Sequence, residues 1–363
     1  MARTKIEEPH WNIIIERIHA GECVPFLGAA VNVRSEKFEY PEGLPLGGEV
    51  ALRLIEKLIK LQQPTPDKTK EVENDQLKKH PLERLIRIGD VDPADAEVVE
   101  AYHKLQAFKL YDDLTRLSLQ NLPRVALQVE VTGDYKQLVG YLRDILTYQT
   151  YTPSPLLRSL ARLPFAKRAR EKKEAALMIT TNYDELLERA LLDQDADNPP
   201  KVIVQPLEGF DPVAYEQKRN EIDAHVGLII YKIHGSFDPQ QQWPPLVVTE
   251  DHYIQFLTLV GKKDEGIPDR INSMIADHTL LFLGYSLEDW DFRTIYKGLV
   301  ESLPPYQISR SFAIQKDPPE FWVNYWSNKK VEIYNVDLYD FGQELEQRYF
   351  KQYGEDLPEA ANP

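Results

Sequence analysis

The chain has 363 residues, which exceeds one common domain, so we expect one large α/β domain with an insertion, or two domains. A hydrophobic content of 42% and a charged content of 28% lie near globular averages and argue against disorder, collagen-like repeats and coiled coils. The formal net charge of −15 opposes attraction to nucleic-acid backbones and anionic membranes, so we expect neither as a direct partner.

Cys23 is the only cysteine, which excludes an intrachain disulfide and a cysteine-based zinc cluster and fits a reducing compartment. The first ten residues are polar and lack the apolar centre of a signal peptide. No apolar run approaches the roughly 20 residues that span a bilayer. We therefore predict a cytoplasmic protein.

The first organised segment predicts a helix at 11–18, a strand at 22–27 and a tight turn that begins at Gly28. Gly43-Leu44-Pro45 then precedes a second helical pattern at 50–61. This order is typical of the opening β-loop-α unit of a nucleotide-binding fold.

Residues 62–170 have a different character, with charged, helix-favouring stretches and apolar residues at helical spacing. The only strand pattern in this region is a short one at 124–131. We interpret 62–170 as a mainly helical insertion.

From residue 171 the chain alternates strand and helix patterns. The predicted strands are 175–180, 202–205, 228–233, 279–283, 311–315 and 331–334. This alternation predicts an α/β fold with a Rossmann-like parallel sheet and helices on both faces, built from 1–61 and 171–363. Ligands of such sheets bind outside the carboxyl ends of the strands.

Two candidate motifs follow strands in the first half of this core. Gly28-Ala29-Ala30-Val31-Asn32 offers small residues and backbone N–H groups to a diphosphate, although an ordinary tight turn has the same pattern. Thr180-Thr181-Asn182-Tyr183-Asp184 places an amide beside a carboxylate where a strand becomes a helix. Helix capping explains one such residue but requires fewer than are present.

Two further motifs follow later strands. His234-Gly235 places an imidazole at the ligand edge, where it is either a base or a structural histidine. Gly284-Tyr285-Ser286 is followed by Glu288, Asp289 and Asp291, and these acids fit a helix start better than a metal site. We therefore expect no metal.

Together the four motifs resemble the sirtuin superfamily, in particular its bacterial branch associated with anti-phage defence. The run from Gly284 to Arg293 and Gly43-Leu44-Pro45 are typical of that branch. Ala30 and Asn32 depart from the family pattern, which has glycine and serine at these places. A methyl group at Ala30 narrows the approach to a diphosphate and would be costly if the backbone there needed positive φ.

The resemblance implies cleavage of NAD to nicotinamide and ADP-ribose, which would deplete the cofactor during infection. It makes Asn182 and His234 catalytic: Asn182 orients ribose and water, and His234 is the base. It assigns Asp184 to the nicotinamide carboxamide. The remaining expected NAD contacts are Gly28, Ala29, Ala30, Asn32, Thr180, Gly284 and Ser286. The zinc module of deacetylating sirtuins is excluded, because it needs four cysteines.

Three other functions stay open: a catalytically quiet NAD or ADP-ribose sensor, an assembly subunit, and a transferase or deacylase. A serine hydrolase is disfavoured because Gly284-Tyr285-Ser286-Leu287-Glu288 lacks the last glycine of a nucleophile elbow. No Walker loop is present, so the chain is not expected to be an ATPase. An uncontrolled NAD hydrolase is toxic, so we expect a homo-oligomer and a possible HerA-type ATPase partner.

Overall fold

The structure is a computed structural model that describes residues 3–62, 121–147, 151–205, 212–237, 242–260, 266–288, 290–301 and 309–353. Within these ranges no helix has the length and apolar character needed to span a membrane. The chain divides into two compact units. One consists of Met1–Leu44, Gln149–Val247 and His252–Pro363, and the other of Pro45–Tyr148 and Val248–Asp251.

The first unit contains a seven-stranded parallel sheet. Its strands are β1 Cys23–Leu27, β2 Ala175–Thr180, β3 Lys201–Val204, β4 Gly227–Lys232, β5 Thr279–Leu283, β6 Ser311–Ile314 and β7 Val331–Tyr334. They lie in the order β3-β4-β2-β1-β5-β6-β7. The predicted fold class, an α/β Rossmann-like parallel sheet surrounded by helices, is confirmed.

The chain also contains thirteen named helices within the described residues. They are α1 Glu8–Ala20, α2 Gly47–Gln62, α3 Leu122–Thr132, α4 Tyr135–Leu146, α5 Pro155–Arg162, α6 Phe165–Lys172, α7 Leu186–Gln194, α8 Pro212–Ala224, α9 Glu250–Val260, α10 Asp269–Asp277, α11 Trp290–Leu299, α12 Glu320–Ser327 and α13 Leu338–Tyr353. A short 3₁₀ helix covers Ala29–Asn32. The sequence patterns missed α8 and α10.

The central strands are largely apolar because both faces of the sheet are covered. Every residue of β1, β4 and β5 is buried. Pro25 lies inside β1 and has no N–H to donate, and the pairing of β1 with β2 starts one residue later at Phe26. The aromatic side chains of Phe26 and Phe282 form part of the core around this centre.

The order of the strands creates a switch point beside β1. The chain continues from β1 to β2 on one side, and later places β5 on the other side of β1. At such a point the connections leave in opposite directions and open a crevice outside the carboxyl ends of the strands. The ends of β1 and β5, Leu27 and Leu283, lie side by side at this switch point.

The second unit contains α2, α3 and α4, which contact one another. The prediction of a strand at 124–131 is wrong, because this segment lies in α3. Asn121 caps the helix by accepting a hydrogen bond from the Arg124 N–H. Val125, Ala126 and Val129 are buried at helical spacing, whereas Val131 is 76% exposed.

The predicted boundaries of the insertion, 62–170, stay a prediction. Residues 63–120 lie outside the described part of the chain. α5 and α6, which the prediction placed in the insertion, belong to the unit that contains the sheet.

Candidate active site

The four sequence motifs follow four strands that are neighbours in the sheet. In the order β4-β2-β1-β5, His234, Asn182, Gly28 and Gly284 each come one or two residues after the last residue of a strand. Because all four strands are parallel, these motifs lie along one edge. The structure thus brings together residues that are up to 256 positions apart in the chain.

The ends of β1 and β5 form what we call the glycine half of the edge, with Gly28, Gly284 and Tyr285. A Cβ added to Gly28 would lie 2.6 Å from the Gly284 carbonyl oxygen. Gly284 has φ +77°, and a Cβ there would lie 2.6 Å from the Val31 nitrogen. Both positions therefore need glycine, for space at Gly28 and for space and backbone conformation at Gly284.

Tyr285 connects three strand ends, a role that no sequence pattern indicated. Its hydroxyl donates to the Leu27 carbonyl at 3.0 Å and lies 3.1 Å from the Thr181 hydroxyl. Its ring packs edge-on to Phe26, with 5.8 Å between ring centroids. Burial raises the pKa of the Tyr285 phenol, so this hydroxyl stays protonated and able to donate.

The turn after β1 differs from the expectation that its N–H groups face a diphosphate. The Gly28 N–H donates to the Leu283 carbonyl at 2.9 Å, and the Ala30 N–H donates to the Gly284 carbonyl at 3.0 Å. These two amides therefore bind the end of β5 and are not free donors. Ala29 is exposed and Ala30 half-buried, so a contact between these residues and NAD stays a prediction.

The backbone of Ala30 does not have the positive φ that would make alanine costly where the family pattern has glycine. It lies inside the 3₁₀ helix, and it is absent from the described non-glycine residues that have positive φ. Its methyl group therefore carries no conformational penalty of the kind that positive φ imposes.

The Asn32 side chain is fully buried and not open to the crevice. Its Oδ1 accepts a hydrogen bond from the Ser154 N–H at 3.4 Å, at the start of α5. Its Nδ2 is buried and has no hydrogen-bond partner among the described residues. The structure thus gives Asn32 a contact inside the protein, and the predicted contact with NAD stays a prediction.

Asn182 is held at the junction of β1 and β2. Its N–H donates to the Thr180 hydroxyl at 3.0 Å, and its Nδ2 donates to the Gly28 carbonyl at 3.2 Å. The Thr180 hydroxyl in turn donates to the Leu27 carbonyl at 3.0 Å, so Thr180 acts as a support for the loop. The side-chain carbonyl of Asn182 has no partner within the described ranges, and the residue is half-exposed.

The Asp184 carboxyl binds the start of α7 and has a shifted pKa. Its Oδ1 accepts from the Leu186 N–H at 3.0 Å, so the helix-capping interpretation holds for one of its two oxygens. Burial raises the pKa of the Asp184 carboxyl, and the nearby Lys232 ammonium opposes that rise.

His234 is 2% exposed and lies beyond the end of β4. Its ring packs edge-on to Tyr253 and Phe256, with centroid distances of 5.1 and 5.4 Å. Its Nε2 is buried and has no hydrogen-bond partner among the described residues. Burial lowers the pKa of His234 to about 3, so the imidazole is neutral at pH 7.

Gly235 allows the sharp turn of the chain that follows His234. Its φ is +95°, and a Cβ there would clash with the Pro245 carbonyl oxygen. The chain therefore turns sharply directly after the histidine. The His234 carbonyl accepts from the Val247 N–H at 2.9 Å, and the Val247 carbonyl accepts from the Tyr183 hydroxyl at 2.6 Å. These bonds connect the loops after β2 and β4.

Ser286 lies in the loop after β5, where its hydroxyl donates to Glu288 Oε1 at 3.2 Å. The loop is fixed at Leu287, whose N–H donates to Gln315 Oε1 and whose carbonyl accepts from the Trp326 indole. Asp289 and the Asp291 side chain lie outside the described residues. Within the described ranges no group of three or more His, Cys, Asp or Glu residues is arranged to hold a metal.

A buried ion pair beneath the loop after β2 was missed from the sequence. Lys232 is the last residue of β4, and its Nζ lies 2.8 Å from Glu188 Oε1, with the two side chains 0% and 11% exposed. A lysine inside an apolar strand is the available signal, because a buried charge needs a partner. With Asn182, Asp184 and His234, this pair forms what we call the charged half of the edge.

Comparison with known proteins gives a family match that includes three of the four motifs at this edge. Residues 176–337 match the family model described as a SIR2-like domain. This range begins in β2, so it includes the Asn182, His234 and Gly284 motifs and leaves the Gly28 motif outside. SIR2-like domains use NAD.

A similar protein is Defense-associated sirtuin 2 of Bacillus subtilis, which is 24% identical over 184 residues. The match covers 49% of this chain and 16% of the relative, so the chain spans a small part of that protein's length. Both comparisons support a sirtuin-like family.

Proposed function

We propose that this chain is an NAD glycohydrolase that cleaves NAD to nicotinamide and ADP-ribose. One observation carries the proposal: beyond the ends of two paired strands lie the half-exposed amide carbonyl of Asn182 and the buried imidazole Nε2 of His234, and neither has a partner among the residues that the structure describes. Unsatisfied buried polar groups such as the His234 Nε2 are rare in native proteins and are a reason to expect a ligand, and the half-exposed Asn182 carbonyl lies at the neighbouring strand end.

The residues at the edge fit a dinucleotide. Gly28 and Gly284 remove side-chain bulk beside the switch point, where the diphosphate of a dinucleotide lies in folds of this class. By the family resemblance, Ser286 lies near the adenosine ribose and Asp184 near the nicotinamide carboxamide. Departure of neutral nicotinamide leaves positive charge on the ribose, which a polar and partly buried site stabilises.

The chain's own residues supply positioning and proton transfer. The Nδ2 of Asn182 is bound to the Gly28 carbonyl, which leaves its carbonyl to orient the ribose and the attacking water. His234 is neutral at pH 7, which is the protonation state that a base requires. Its Nε2 accepts the proton of water or of a ribose hydroxyl.

A catalytically quiet NAD or ADP-ribose sensor is the second candidate, and the burial of His234 favours it. With an exposed fraction of 2% and a pKa of about 3, the imidazole of the free protein is a weak base. A binding module, however, has no need of both Asn182 and His234 at adjacent strand ends.

A role in defence is the biological part of the proposal, and the name of the Bacillus subtilis relative supports it. NAD depletion harms the host, so activity requires control by a homo-oligomer or by a partner such as a HerA-type ATPase. Cytoplasmic NAD is the proposed substrate pool.

The test is incubation of the purified chain with NAD, followed by chromatography of NAD, nicotinamide and ADP-ribose. The chain is assayed over a concentration series, alone and with the protein of its neighbouring gene. We expect equal amounts of nicotinamide and ADP-ribose. Intact NAD together with measurable binding of NAD by calorimetry would replace the hydrolase with the sensor.

A further inference from the structure

Lys232 connects the last residue of β4 to the loop and helix that follow β2. Its buried Nζ donates to Glu188 Oε1 at 2.8 Å, and it also donates to the main-chain carbonyl of Asp184. Glu188 belongs to α7, whose first turn starts directly after the loop. One ammonium group thus contacts both ends of the segment 184–188.

Stability alone gives a weak reason for this arrangement. Removing two charges from water costs free energy that an ion pair often only offsets, and a well-packed apolar pair is frequently as stable. The Oε2 of Glu188 is also buried without a partner among the described residues. Retaining charged groups here therefore calls for a role beyond packing.

We propose that Lys232 is a positioning residue, which holds the Asn182–Asp184 loop in the geometry that NAD cleavage needs. The inference rests on the proposed function and names the residue that supports its site. Lys232 pairs in register with Thr180, and the Ile233 N–H donates to the Thr180 carbonyl at 3.0 Å. The backbone of β4 therefore fixes the start of the loop, and the Lys232 side chain fixes its end.

The position of the ammonium also bears on the charge of Asp184. Burial favours the neutral form of this carboxyl, and Lys232 favours the anion. Loss of Lys232 is expected to raise the pKa of Asp184 further. A site that needs the Asp184 anion then loses activity at the acidic end of its pH range.

The experiment compares Lys232→Met with the double variant Lys232→Met/Glu188→Leu. The single variant leaves Glu188 buried and unpaired and is expected to unfold at lower temperature. The double variant removes both charges and keeps apolar volume, so its melting temperature is expected near that of wild type. The control is Lys201→Met/Glu221→Leu, which removes an exposed pair that joins β3 to α8 at 2.6 Å.

Two measurements are made on each folded variant: hydrogen–deuterium exchange of the amides of 181–187, and kcat/KM for NAD cleavage from pH 5 to 8. For the double variant we expect faster exchange confined to this segment. We also expect a loss of about 100-fold in kcat/KM that is largest at low pH, because a small misplacement of reacting groups has effects of this size. The control variant should change neither quantity.

Several results would overturn the inference. Unchanged exchange at 181–187 shows that Lys232 does not hold the loop. Faster exchange with unchanged kcat/KM shows that the loop position is irrelevant to cleavage. If wild type cleaves no NAD, the proposed function fails and with it the assignment to NAD cleavage, while the exchange data still report whether the loop is anchored.

Discussion

The two halves of the ligand edge are built by opposite means. The glycine half, at the ends of β1 and β5, depends on absent side chains and on backbone hydrogen bonds such as that from Gly28 to Leu283. The charged half, at the ends of β2 and β4, depends on buried side chains that carry charge or a titratable nitrogen, such as Lys232 and His234.

This contrast separates the effects that substitutions should have. The glycine half fails when atoms are added, because its backbones are already in contact. The charged half fails when groups are removed, because its side chains carry the proposed chemistry. An added methyl group should therefore lower stability at the glycine half, whereas loss of the Asn182 or His234 side chain should mainly lower activity at the charged half.

The largest effect is expected on activity at the charged half. Asn182→Ala and His234→Ala should each lower kcat for NAD cleavage by about 10²–10⁴-fold, the range for losing a base or a positioned polar group. Chromatographic assay of nicotinamide release measures this. Asn182 forms few contacts, so its variant should melt close to wild type.

A matched control for His234 lies at the opposite end of β4. His225 precedes the strand, its Nε2 is also buried without a partner among the described residues, and burial also lowers its pKa. His225→Ala should keep kcat within about twofold of wild type, because it lies away from the ligand edge. Equal loss of activity in both variants would mean that His234 is a structural histidine.

The next effect is expected on stability at the glycine half. Gly284→Ala places a Cβ 2.6 Å from the Val31 nitrogen at φ +77°. Overpacking and left-handed backbone together predict a loss of about 3 kcal/mol in the free energy of unfolding. Urea denaturation followed by circular dichroism measures this loss.

Gly140→Ala serves as the control for an added methyl group. Gly140 lies inside α4, and an added Cβ meets no atom within 4 Å. This variant should gain about 0.5–1 kcal/mol, because alanine favours the helix. A Gly284→Ala variant as stable as wild type would show that the ends of β1 and β5 can separate without cost.

A smaller effect concerns the dependence of stability on pH in the charged half. The pKa of His234 is about 3 in the folded protein and about 6.5 unfolded, so the unfolded state binds the proton more readily. The contribution is fully present above pH 6.5 and is lost as the pH falls towards 3. Between pH 6.5 and 5 this amounts to at most about 2 kcal/mol.

The pKa values of His10, His225 and His278 are also lowered mainly by burial, so these histidines contribute to the same acid destabilisation. Comparing wild type with His234→Gln isolates the contribution of His234. Urea denaturation of both proteins at pH 7 and pH 5 should show a smaller acid destabilisation in the variant. The same pH dependence in both proteins would indicate that the His234 imidazole is accessible to protons in the folded state.

The sequence predicted the sheet and the edge well, for a physical reason. Buried parallel strands are continuous apolar runs, so 175–180, 279–283 and 331–334 could be located to the residue. The motifs that follow strands had to meet at one edge once the sheet was parallel. The parallel sheet therefore predicted that Asn182 and His234 lie at the same edge, beyond the ends of β2 and β4. It did not predict the roles of the two residues.

What the sequence did not reveal depends on contacts between distant residues. The bonds from Tyr285 to Leu27 and Thr181 cross three strands. The pairing of Lys232 with Glu188 requires knowledge that β4 lies beside β2. The segment 124–131 was predicted as a strand from a short alternating pattern, but it is a helix whose buried residues Val125, Ala126 and Val129 follow helical spacing.

The smallest effect is expected at Ala30, inside the glycine half, where the family pattern has glycine. The structure places Ala30 in a 3₁₀ helix and not at positive φ, so glycine relieves no backbone strain there. Ala30→Gly should instead lower the free energy of unfolding by about 0.5–1 kcal/mol, because glycine loses more conformational entropy on folding. NAD affinity by calorimetry should stay within about twofold of wild type. Markedly tighter binding would show that the methyl group crowds the diphosphate, and that this half of the edge is limited by side-chain bulk after all.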